Sequence, residues 1–361
     1  MPLNPDDKLL VHLPSPAPAG WLEAMARRFP GLAVRWEVAG IDAAASDLES
    51  ADSLPREALD GVTLLCVYPP PSPAVMERVR VVQLASAGSD RWLGHEKYRD
   101  PGVVFCSSSG RAGRVQIAEW VMGAWLSHQH HFRVYDEQQR QATWNARVAD
   151  KPVADSLGRR VGIVGYGAIG RQCARLAHAL GMHVYAYTRT ERPDAPSRRH
   201  NGYYNVPGTG DPDGRIPERW FHGDAGFDDL LAQGLDLLIL ALPLTESTRG
   251  LIGRPQFRLM DSASAGRMRK TFLCNVARGP IVDTPALVEA LEQGRISGAA
   301  LDVTDPEPLP AEHPLWKAPN VFITPHVSWQ SDVMVERIAG LIMENLERLD
   351  KGEPLLNLIK K

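Results

Sequence analysis

The sequence predicts an α/β protein of two domains with parallel sheets, and three observations lead to this expectation. The chain has 361 residues, of which 44% are hydrophobic, so it can form two separate cores. Short apolar runs alternate with helix-compatible stretches along most of its length. Residues 161–170 read VGIVGYGAIG, an apolar strand that opens directly into a glycine-rich turn. This order of elements is typical of Rossmann-like and flavodoxin-like domains.

The remaining elements follow from the same patterns. The first part of the chain carries five strand candidates, at residues 9–13, 33–38, 62–68, 81–85 and 103–106. Residues 115–141 contain no proline and predict a long helix that connects the two domains. Further strand candidates lie at 235–242, 271–276, 298–303 and 321–324. The pattern at 333–349 is helical again, and a closing helix that returns to the first domain makes that domain discontinuous.

The glycine turn has the features of a dinucleotide-binding motif. Gly165 permits the tight turn, Gly167 lets backbone N–H groups approach a pyrophosphate, and Gly170 lets the next helix pack close to the strand. A helix at 171–180 and a strand at 183–187 complete a βαβ unit. The alternative is a glycine turn between an unrelated strand and helix. We expect a dinucleotide-binding domain at 126–330 and a substrate domain at 1–125 and 331–361.

The end of the second strand indicates which cofactor the site prefers. An acidic residue there would bind the adenosine ribose hydroxyls and repel a 2′-phosphate, but the chain has Thr188, Arg189 and Thr190, with Arg192 close by. Hydroxyl and guanidinium groups suit a phosphate, so we favour NADP(H) and keep NAD(H) as possible. The alternative is that Arg189 is a solvated surface residue.

Residues 192–220 break the rhythm of strands and helices, because they are rich in proline, glycine and arginine. They predict a long loop. Since this loop follows the strand that ends at the adenosine ribose, it can cover that end of the cofactor, and Arg198 and Arg199 can add phosphate contacts. A surface insertion with no role is an equal alternative.

Composition argues against several other classes of protein. The net charge is −3 and Lys/Arg blocks are missing, which argues against nucleic acid or an acidic membrane surface as a partner. The sequence has neither an apolar stretch long enough for a membrane span nor a secretory signal, so we expect a cytoplasmic protein. The four cysteines are widely separated and are expected to be buried thiols, not metal ligands or disulfides.

Three segments with polar side chains lie at or beyond predicted strands of the second domain, where open α/β sheets place their sites. The segment CNVARGPIVD carries Arg278, whose planar guanidinium can bind a carboxylate and stabilise developing negative charge. The segment ALDVTDPEP carries Asp302 and Glu307, and ITPHVS carries His326. A histidine with a carboxylate partner is a suitable proton donor near neutral pH.

The order of these motifs along the chain resembles the D-isomer-specific 2-hydroxyacid dehydrogenase family. The matching segments are LASAGSDRW, IAEWVMG, VGIVGYGAIG, LPLTESTRGLI, NVARGPIVD, ALDVTDPEP and TPHVS. The resemblance implies an oxidoreductase that interconverts a 2-oxo acid and a D-2-hydroxy acid, similar to NADPH-dependent glyoxylate/hydroxypyruvate reductases. It implies that Arg278, Glu307 and His326 are catalytic.

The same resemblance implies the binding residues. Those toward the cofactor are Gly165, Gly167, Ala168, Ile169, Gly170, Thr188, Arg189, Thr190, Leu242, Pro243, Thr248, Val276, Ala277, Arg278, Asp302 and His326. Those toward the substrate are Ser86, Ala87, Gly88, Arg278 and His326. Asp302 corresponds to the family's aspartate near the nicotinamide carboxamide. Trp92, Arg114 and Trp329 are further candidates for lining the substrate pocket.

Some features depart from the family pattern and leave alternatives open. Serines in CSSSGRAGR replace the asparagine that precedes the glycine in many relatives, and the long loop looks like a feature of fungal members. A formate-type dehydrogenase would have glutamine in place of Glu307, whereas phosphite oxidation and a nucleotide-sensing corepressor both fit the trio. We expect a homodimer, because Trp120, Met122, Trp125 and Leu126 give the connector helix a large apolar surface, although packing between domains explains it too.

Overall fold

The computed structural model describes residues 2–42, 47–110, 114–146, 153–200 and 206–359. The strands are β1 (Lys8–Leu13), β2 (Ala33–Val38), β3 (Ile41–Asp42), β4 (Asp47–Leu48), β5 (Leu64–Val67), β6 (Val81–Leu84), β7 (Val104–Cys106), β8 (Arg160–Val164), β9 (His183–Thr188), β10 (Arg219–His222), β11 (Leu237–Leu240), β12 (Phe272–Asn275), β13 (Gly298–Leu301) and β14 (Val321–Ile323). The helices are α1 (Trp21–Arg28), α2 (Arg56–Leu59), α3 (Arg114–Gln129), α4 (Phe132–Arg140), α5 (Ala168–Ala179), α6 (Ala195–Arg198), α7 (Gly223–Leu231), α8 (Arg254–Ala263), α9 (Thr284–Glu292) and α10 (Met334–Asp350).

The chain divides into two compact units. Unit 1 comprises residues 1–113, 202–206 and 330–361, and unit 2 comprises residues 114–201 and 207–329. Unit 1 is discontinuous, as expected, because α10 returns to it. The division into a substrate domain and a dinucleotide-binding domain stays a prediction.

The sheet of unit 1 has the strand order β2-β1-β5-β6-β7, and its neighbouring strands are parallel. This is the flavodoxin-like order, in which the chain starts next to one edge and then proceeds toward the other. All four residues of β5 are buried, as in a central parallel strand that is covered on both faces. Helices α1 and α10 cover one face, where the Trp21 indole N–H donates to the Ala339 carbonyl at 3.0 Å.

The sheet of unit 2 has the order β10-β9-β8-β11-β12-β13-β14, again with parallel neighbours. The chain runs from β8 outward to β10 and then crosses to the other side of β8 at β11. The strand order therefore reverses between β8 and β11, which is the place where open α/β sheets bind ligands. The expectation of two parallel-sheet α/β units is confirmed.

The expectation of one long helix at 115–141 is wrong. His131 has φ 55°, so it lies in the left-handed region and separates α3 from α4. Met122 and Trp125 of α3 are buried in the core of unit 2, and Trp120 and Leu126 pack against it. Their apolar surface is thus used largely within unit 2, and the homodimer stays a prediction.

The expectation of a featureless loop at 192–220 is also wrong in part. The segment contains the short helix α6, which begins with a capping box between Asp194 and Ser197. It ends in β10, which pairs with β9 from Tyr185–Arg219 to Thr188–His222. A four-residue edge strand with two basic side chains carries too weak a pattern for recognition from sequence.

The four cysteines are buried free thiols, as expected. Burial raises the pKa of the Cys106 thiol to about 12 and that of the Cys173 thiol to about 12. Within the described residues, no cluster of three or more His, Cys, Asp or Glu side chains could hold a metal ion. None of the described helices combines the length and apolar character that a membrane crossing requires.

Candidate active site

The glycine turn after β8 has three glycines in three different environments. Gly165 has φ 99°, which favours glycine. A Cβ atom on Gly170 would lie 2.1 Å from the Gly165 carbonyl oxygen, so this glycine permits the close packing of α5 on the strand. A Cβ atom on Gly167 would meet nothing within 4 Å. The backbone at Gly167, the N-cap of α5, therefore borders open space, and the helix that starts at Ala168 and Ile169 directs its N–H groups there.

The predicted site residues of unit 2 follow the strands of its sheet at their carboxyl ends. In the order of the strands across the sheet, the segments are 188–190 after β9, 165–170 after β8, 242–248 after β11, 276–279 after β12, 302–307 after β13 and 324–328 after β14. Carboxyl ends of parallel strands lie at the same edge. The sheet thus arranges the predicted adenosine contacts, the glycine turn and the catalytic trio in one row.

At the adenosine end of this row, the Thr188 hydroxyl donates to the Thr190 carbonyl at 2.8 Å. Arg189 is exposed. Arg192 and Arg198 instead bind their own loop: Arg192 donates to the Ser197 carbonyl at 2.7 Å, and Arg198 to the Arg192 carbonyl at 2.9 Å. Their donors are therefore partly used in shaping the segment after β9.

The loop after β12 is held by Asn275. Its side-chain oxygen accepts from the Ala277 N–H at 3.0 Å, and its NH₂ group donates to the Arg278 carbonyl at 3.1 Å. A Cβ atom on Gly279 would lie 1.8 Å from the Thr304 carbonyl oxygen, so the loops after β12 and β13 touch at this glycine. These contacts place Arg278 beside the loop that carries Glu307.

The remaining residues that are predicted to contact the cofactor lie in the loops after β11 and β12. Val276 and Ala277 are buried, while Leu242 packs against the core. The Thr248 hydroxyl donates to the Pro243 carbonyl at 2.9 Å. This bond closes the loop after β11 onto itself.

His326 and Glu307 form a direct pair, because His326 Nδ1 lies 2.7 Å from Glu307 Oε1. Both side chains are partly exposed. Burial raises the pKa of the Glu307 carboxyl, but the hydrogen bond and charge of His326, with smaller contributions from Thr304 and Arg278, outweigh it and lower the pKa. Glu307 is therefore ionised at neutral pH, and its carboxylate orients the imidazole so that Nε2 is left for chemistry.

Asp302 holds the loop that presents His326. Its buried carboxylate accepts from the Thr324 hydroxyl at 2.6 Å, from the Val327 N–H at 2.9 Å and from the Ser328 N–H at 3.1 Å. Its carbonyl accepts from the His326 N–H at 2.8 Å. His326 itself has φ 55°, in the left-handed region, so these bonds fix an unusual backbone.

Asp302 thus acts on the site through the backbone around His326. Neither this role of Asp302 nor its partners Thr324 and Ser328 could be recognised from the sequence. Their only signal was their position on either side of His326 in ITPHVS.

Other candidates have different surroundings. Ser86, Ala87 and Gly88 follow β6 in unit 1, where the Ser86 hydroxyl donates to the Gly88 carbonyl at 2.6 Å. The interpretation of Trp92 as a pocket residue is wrong, because it is fully buried in a core of unit 1.

The two other candidates for the substrate pocket, Trp329 and Arg114, belong to unit 2. Trp329 donates from its indole N–H to the His326 carbonyl at 2.6 Å. Arg114 donates to the Thr209 hydroxyl. Trp329 therefore supports the loop of His326, and Arg114 contacts the segment after α6.

Known proteins are similar to the part of the chain that carries the glycine turn and the segments of Arg278, Glu307 and His326. The family model described as D-isomer specific 2-hydroxyacid dehydrogenase, NAD binding domain, matches residues 122–207 and 218–328. A putative 2-hydroxyacid dehydrogenase of Haemophilus influenzae is 35% identical over 241 residues, which are 64% of this chain and 65% of the relative. A hydroxypyruvate reductase of Blautia hydrogenotrophica is 29% identical over 253 residues, 69% of each chain. The chain thus spans just under two thirds of the length of the first relative.

Two solved structures are similar over nearly the whole chain. One is an NADPH-dependent glyoxylate/hydroxypyruvate reductase of Sinorhizobium meliloti in complex with NADP and sulfate, with 26% identity, 98% coverage of both chains and a TM-score of 0.70. The other is a D-isomer specific 2-hydroxyacid dehydrogenase of Xanthobacter autotrophicus in complex with NADPH and MES, with 27% identity, coverage of 97% and 98%, and a TM-score of 0.70. Since the family model matches more than half of its residues, the chain belongs to the D-isomer specific 2-hydroxyacid dehydrogenase family.

Proposed function

We propose that this chain reduces a 2-oxo acid to the D-2-hydroxy acid and prefers NADPH as the reductant. The observation that carries the proposal is the 2.7 Å pair of His326 and Glu307, at the edge of the sheet that also bears the glycine turn. A proton donor and a dinucleotide turn at one sheet edge are the two parts that a carbonyl reduction needs.

Cofactor binding is supported by the fit of the glycine turn. The open space at Gly167 and the N-terminus of α5 suit a pyrophosphate. Exposed Arg189, with Thr188 and Thr190 beside it, suits a 2′-phosphate. Two similar structures have NADP or NADPH bound. When bound, the reduced nicotinamide supplies the hydride for the carbonyl carbon.

The chain's own residues then have separate tasks. Arg278 binds the substrate carboxylate and polarises the carbonyl. The backbone N–H groups at Ser86, Ala87 and Gly88 stay candidates for a carboxylate cradle. His326 donates its Nε2 proton to the carbonyl oxygen as the alkoxide forms. Glu307 keeps the ring oriented through its contact with Nδ1. Glyoxylate, hydroxypyruvate and bulkier 2-oxo acids all present the carboxylate and carbonyl that this set recognises.

The experiment that tests this function is the oxidation of NADPH and of NADH on mixing with glyoxylate, hydroxypyruvate and phenylpyruvate, followed at the nicotinamide absorbance. Turnover with NADPH and any of the three supports the proposal and shows the range of side chains accepted. Binding of either cofactor without turnover would contradict the proposed function. It would favour phosphite as the substrate or a nucleotide-sensing role. Sedimentation of the same sample tests the homodimer that we propose.

The cofactor preference has its own prediction. Arg189→Ala should raise the KM for NADPH about 10- to 100-fold, because one charge-assisted contact to phosphate is lost, and should leave the KM for NADH within about twofold. Arg258→Ala, at an exposed arginine of α8, is the matched control and should change neither. An equal effect on both cofactors would contradict the assignment of Arg189 to the 2′-phosphate.

A further inference from the structure

Residues 208–217 form a segment that the family model does not match, although it matches the chain on both sides. We call these residues the insert. In a surface insertion without a role, few contacts to the rest of the fold are expected. The insert instead contacts the glycine turn and α5, the two elements that our proposed function assigns to the dinucleotide.

The insert is built around Asp211, which is buried. Its carboxylate accepts from the Arg215 N–H at 3.0 Å and from the Ile216 N–H at 3.1 Å, so it closes the insert into a compact turn. A Cβ atom on Gly214, which has φ 67°, would lie 2.4 Å from the Arg198 carbonyl oxygen. The segment before the insert therefore packs directly against it.

The same carboxylate reaches the glycine turn. The hydroxyl of Tyr166, the residue between Gly165 and Gly167, donates to Asp211 Oδ2 at 2.8 Å. Tyr166 is 5% exposed and packs edge-on against Trp220, with ring centroids 4.9 Å apart. Burial and the charge of Asp211 raise the pKa of the Tyr166 hydroxyl well above its usual value, so it keeps its proton and stays a donor.

The insert also binds the first two turns of α5. Arg171 donates to the Asp211 carbonyl at 2.6 Å, and Arg175 donates to the Gly210 carbonyl at 3.2 Å. The Gln172 side chain accepts from the Gly210 N–H at 2.6 Å. One short segment thus holds both the turn and the helix whose N–H groups face the open space at Gly167.

We propose that the insert is a brace for the glycine turn, in which Asp211 is the positioning residue and the Asp211–Tyr166 bond sets the affinity of the turn for the pyrophosphate of a nicotinamide dinucleotide. A turn that is held in its binding geometry before the ligand arrives loses less entropy when it binds. The inference rests on the proposed dinucleotide site. Because the pyrophosphate is common to both cofactors, the brace affects NADPH and NADH alike, unlike Arg189.

The test compares the wild-type protein with Tyr166→Phe, Asp211→Asn and the double variant. Tyr185→Phe is the matched control, because Tyr185 is a buried tyrosine that packs in a different core of the same unit. Fluorescence titration measures the Kd for NADPH and for NADH. The KM for the oxo acid at saturating NADPH and the Tm of the ligand-free protein are measured on the same samples.

We expect Tyr166→Phe to raise both Kd values by the same factor, about tenfold, as for the loss of one buried hydrogen bond. Asp211→Asn should raise both by a smaller equal factor, because its amide oxygen accepts more weakly than a carboxylate. The double variant should bind no worse than Tyr166→Phe, since without the Tyr166 hydroxyl residue 211 has no bond from the glycine turn to accept. The KM for the oxo acid should stay within about twofold, and Tyr185→Phe should leave both Kd values unchanged.

A fall in Tm with unchanged Kd values would overturn the proposal, because the insert would then be scaffold alone. A change for NADPH only would also overturn it. If Asp211→Asn does not fold, Arg175→Gln removes a single partly buried contact to the insert and should raise both Kd values about threefold. No change would again overturn the brace. If the wild-type protein binds neither cofactor, the proposed function falls together with the brace, whereas equal binding by wild type and variants removes the brace alone.

Discussion

Glu307 keeps its negative charge against the cost of burial because His326 lies 2.7 Å away. A lowered pKa means that the carboxylate contributes to stability above its usual value of 4.5 and loses that contribution as the pH falls through the lowered value. At neutral pH the pair is therefore intact. Single residues of this kind carry the proposed chemistry, while Asp302 fixes the backbone around His326.

Glu307→Gln tests the pair. The amide can still accept a hydrogen bond but carries no charge, so we expect kcat/KM for oxo-acid reduction to fall about a hundredfold. The measurement is kcat/KM from pH 5 to 10. Glu289→Gln, at an exposed carboxylate that pairs with Arg254, is the control. An unchanged kcat/KM would argue against the role of Glu307.

At the scale of elements, the site consists of strand ends and the loops that follow them. The loops after β12 and β13 meet at Gly279, and Asp302 ties the loop after β14 to the end of β13. In the same way, β8 and α5 meet closely at the glycine turn, where Gly170 packs against the Gly165 carbonyl. Its three glycines are not equivalent, since only Gly167 borders open space.

Two alanine substitutions separate the fold of this turn from its binding. Gly170→Ala should destabilise the protein by about 1–3 kcal/mol, because its Cβ atom would collide with the Gly165 carbonyl oxygen. Gly167→Ala should leave the Tm unchanged but raise the Kd for NADPH at least about tenfold, because the methyl group occupies the space of the pyrophosphate. Thermal unfolding and titration with NADPH measure both. An unchanged Kd for NADPH in Gly167→Ala would show that the space at Gly167 is not needed for a ligand.

The whole molecule consists of two units, of which unit 2 carries the glycine turn. A ligand that binds only the folded state stabilises what it touches. We therefore expect NADPH to stabilise unit 2 more than unit 1.

This expectation is tested by hydrogen exchange. At a concentration of NADPH 100 times its Kd, the amides of β8 and α5 should gain about 2.7 kcal/mol of protection. Those of β1 and α1 in unit 1 should gain less. The same experiment with NADH at equal concentration is the control for cofactor preference. Uniform protection in both units would contradict binding at the glycine turn.

Much of this architecture could be predicted before the structure, because it depends on local patterns. Buried parallel strands can be recognised as continuous apolar runs. The apolar strand and the glycines around Gly165 predicted the βαβ unit. The interruption at His131 and the edge strand β10 escaped prediction, because a single left-handed residue and a four-residue strand leave no periodic signal.

The sequence by itself determined the fold class, the family and the residue types of the proposed site, since these depend on motifs that are contiguous in the chain. Only the tertiary structure decided which side chains meet: Glu307 with His326, Asp302 with the loop around His326, and Asp211 with Tyr166. Each of these pairs joins segments that are 19 to 45 residues apart. Their contact depends on how the sheet aligns its strand ends and on where the insert folds back, and no local pattern encodes either.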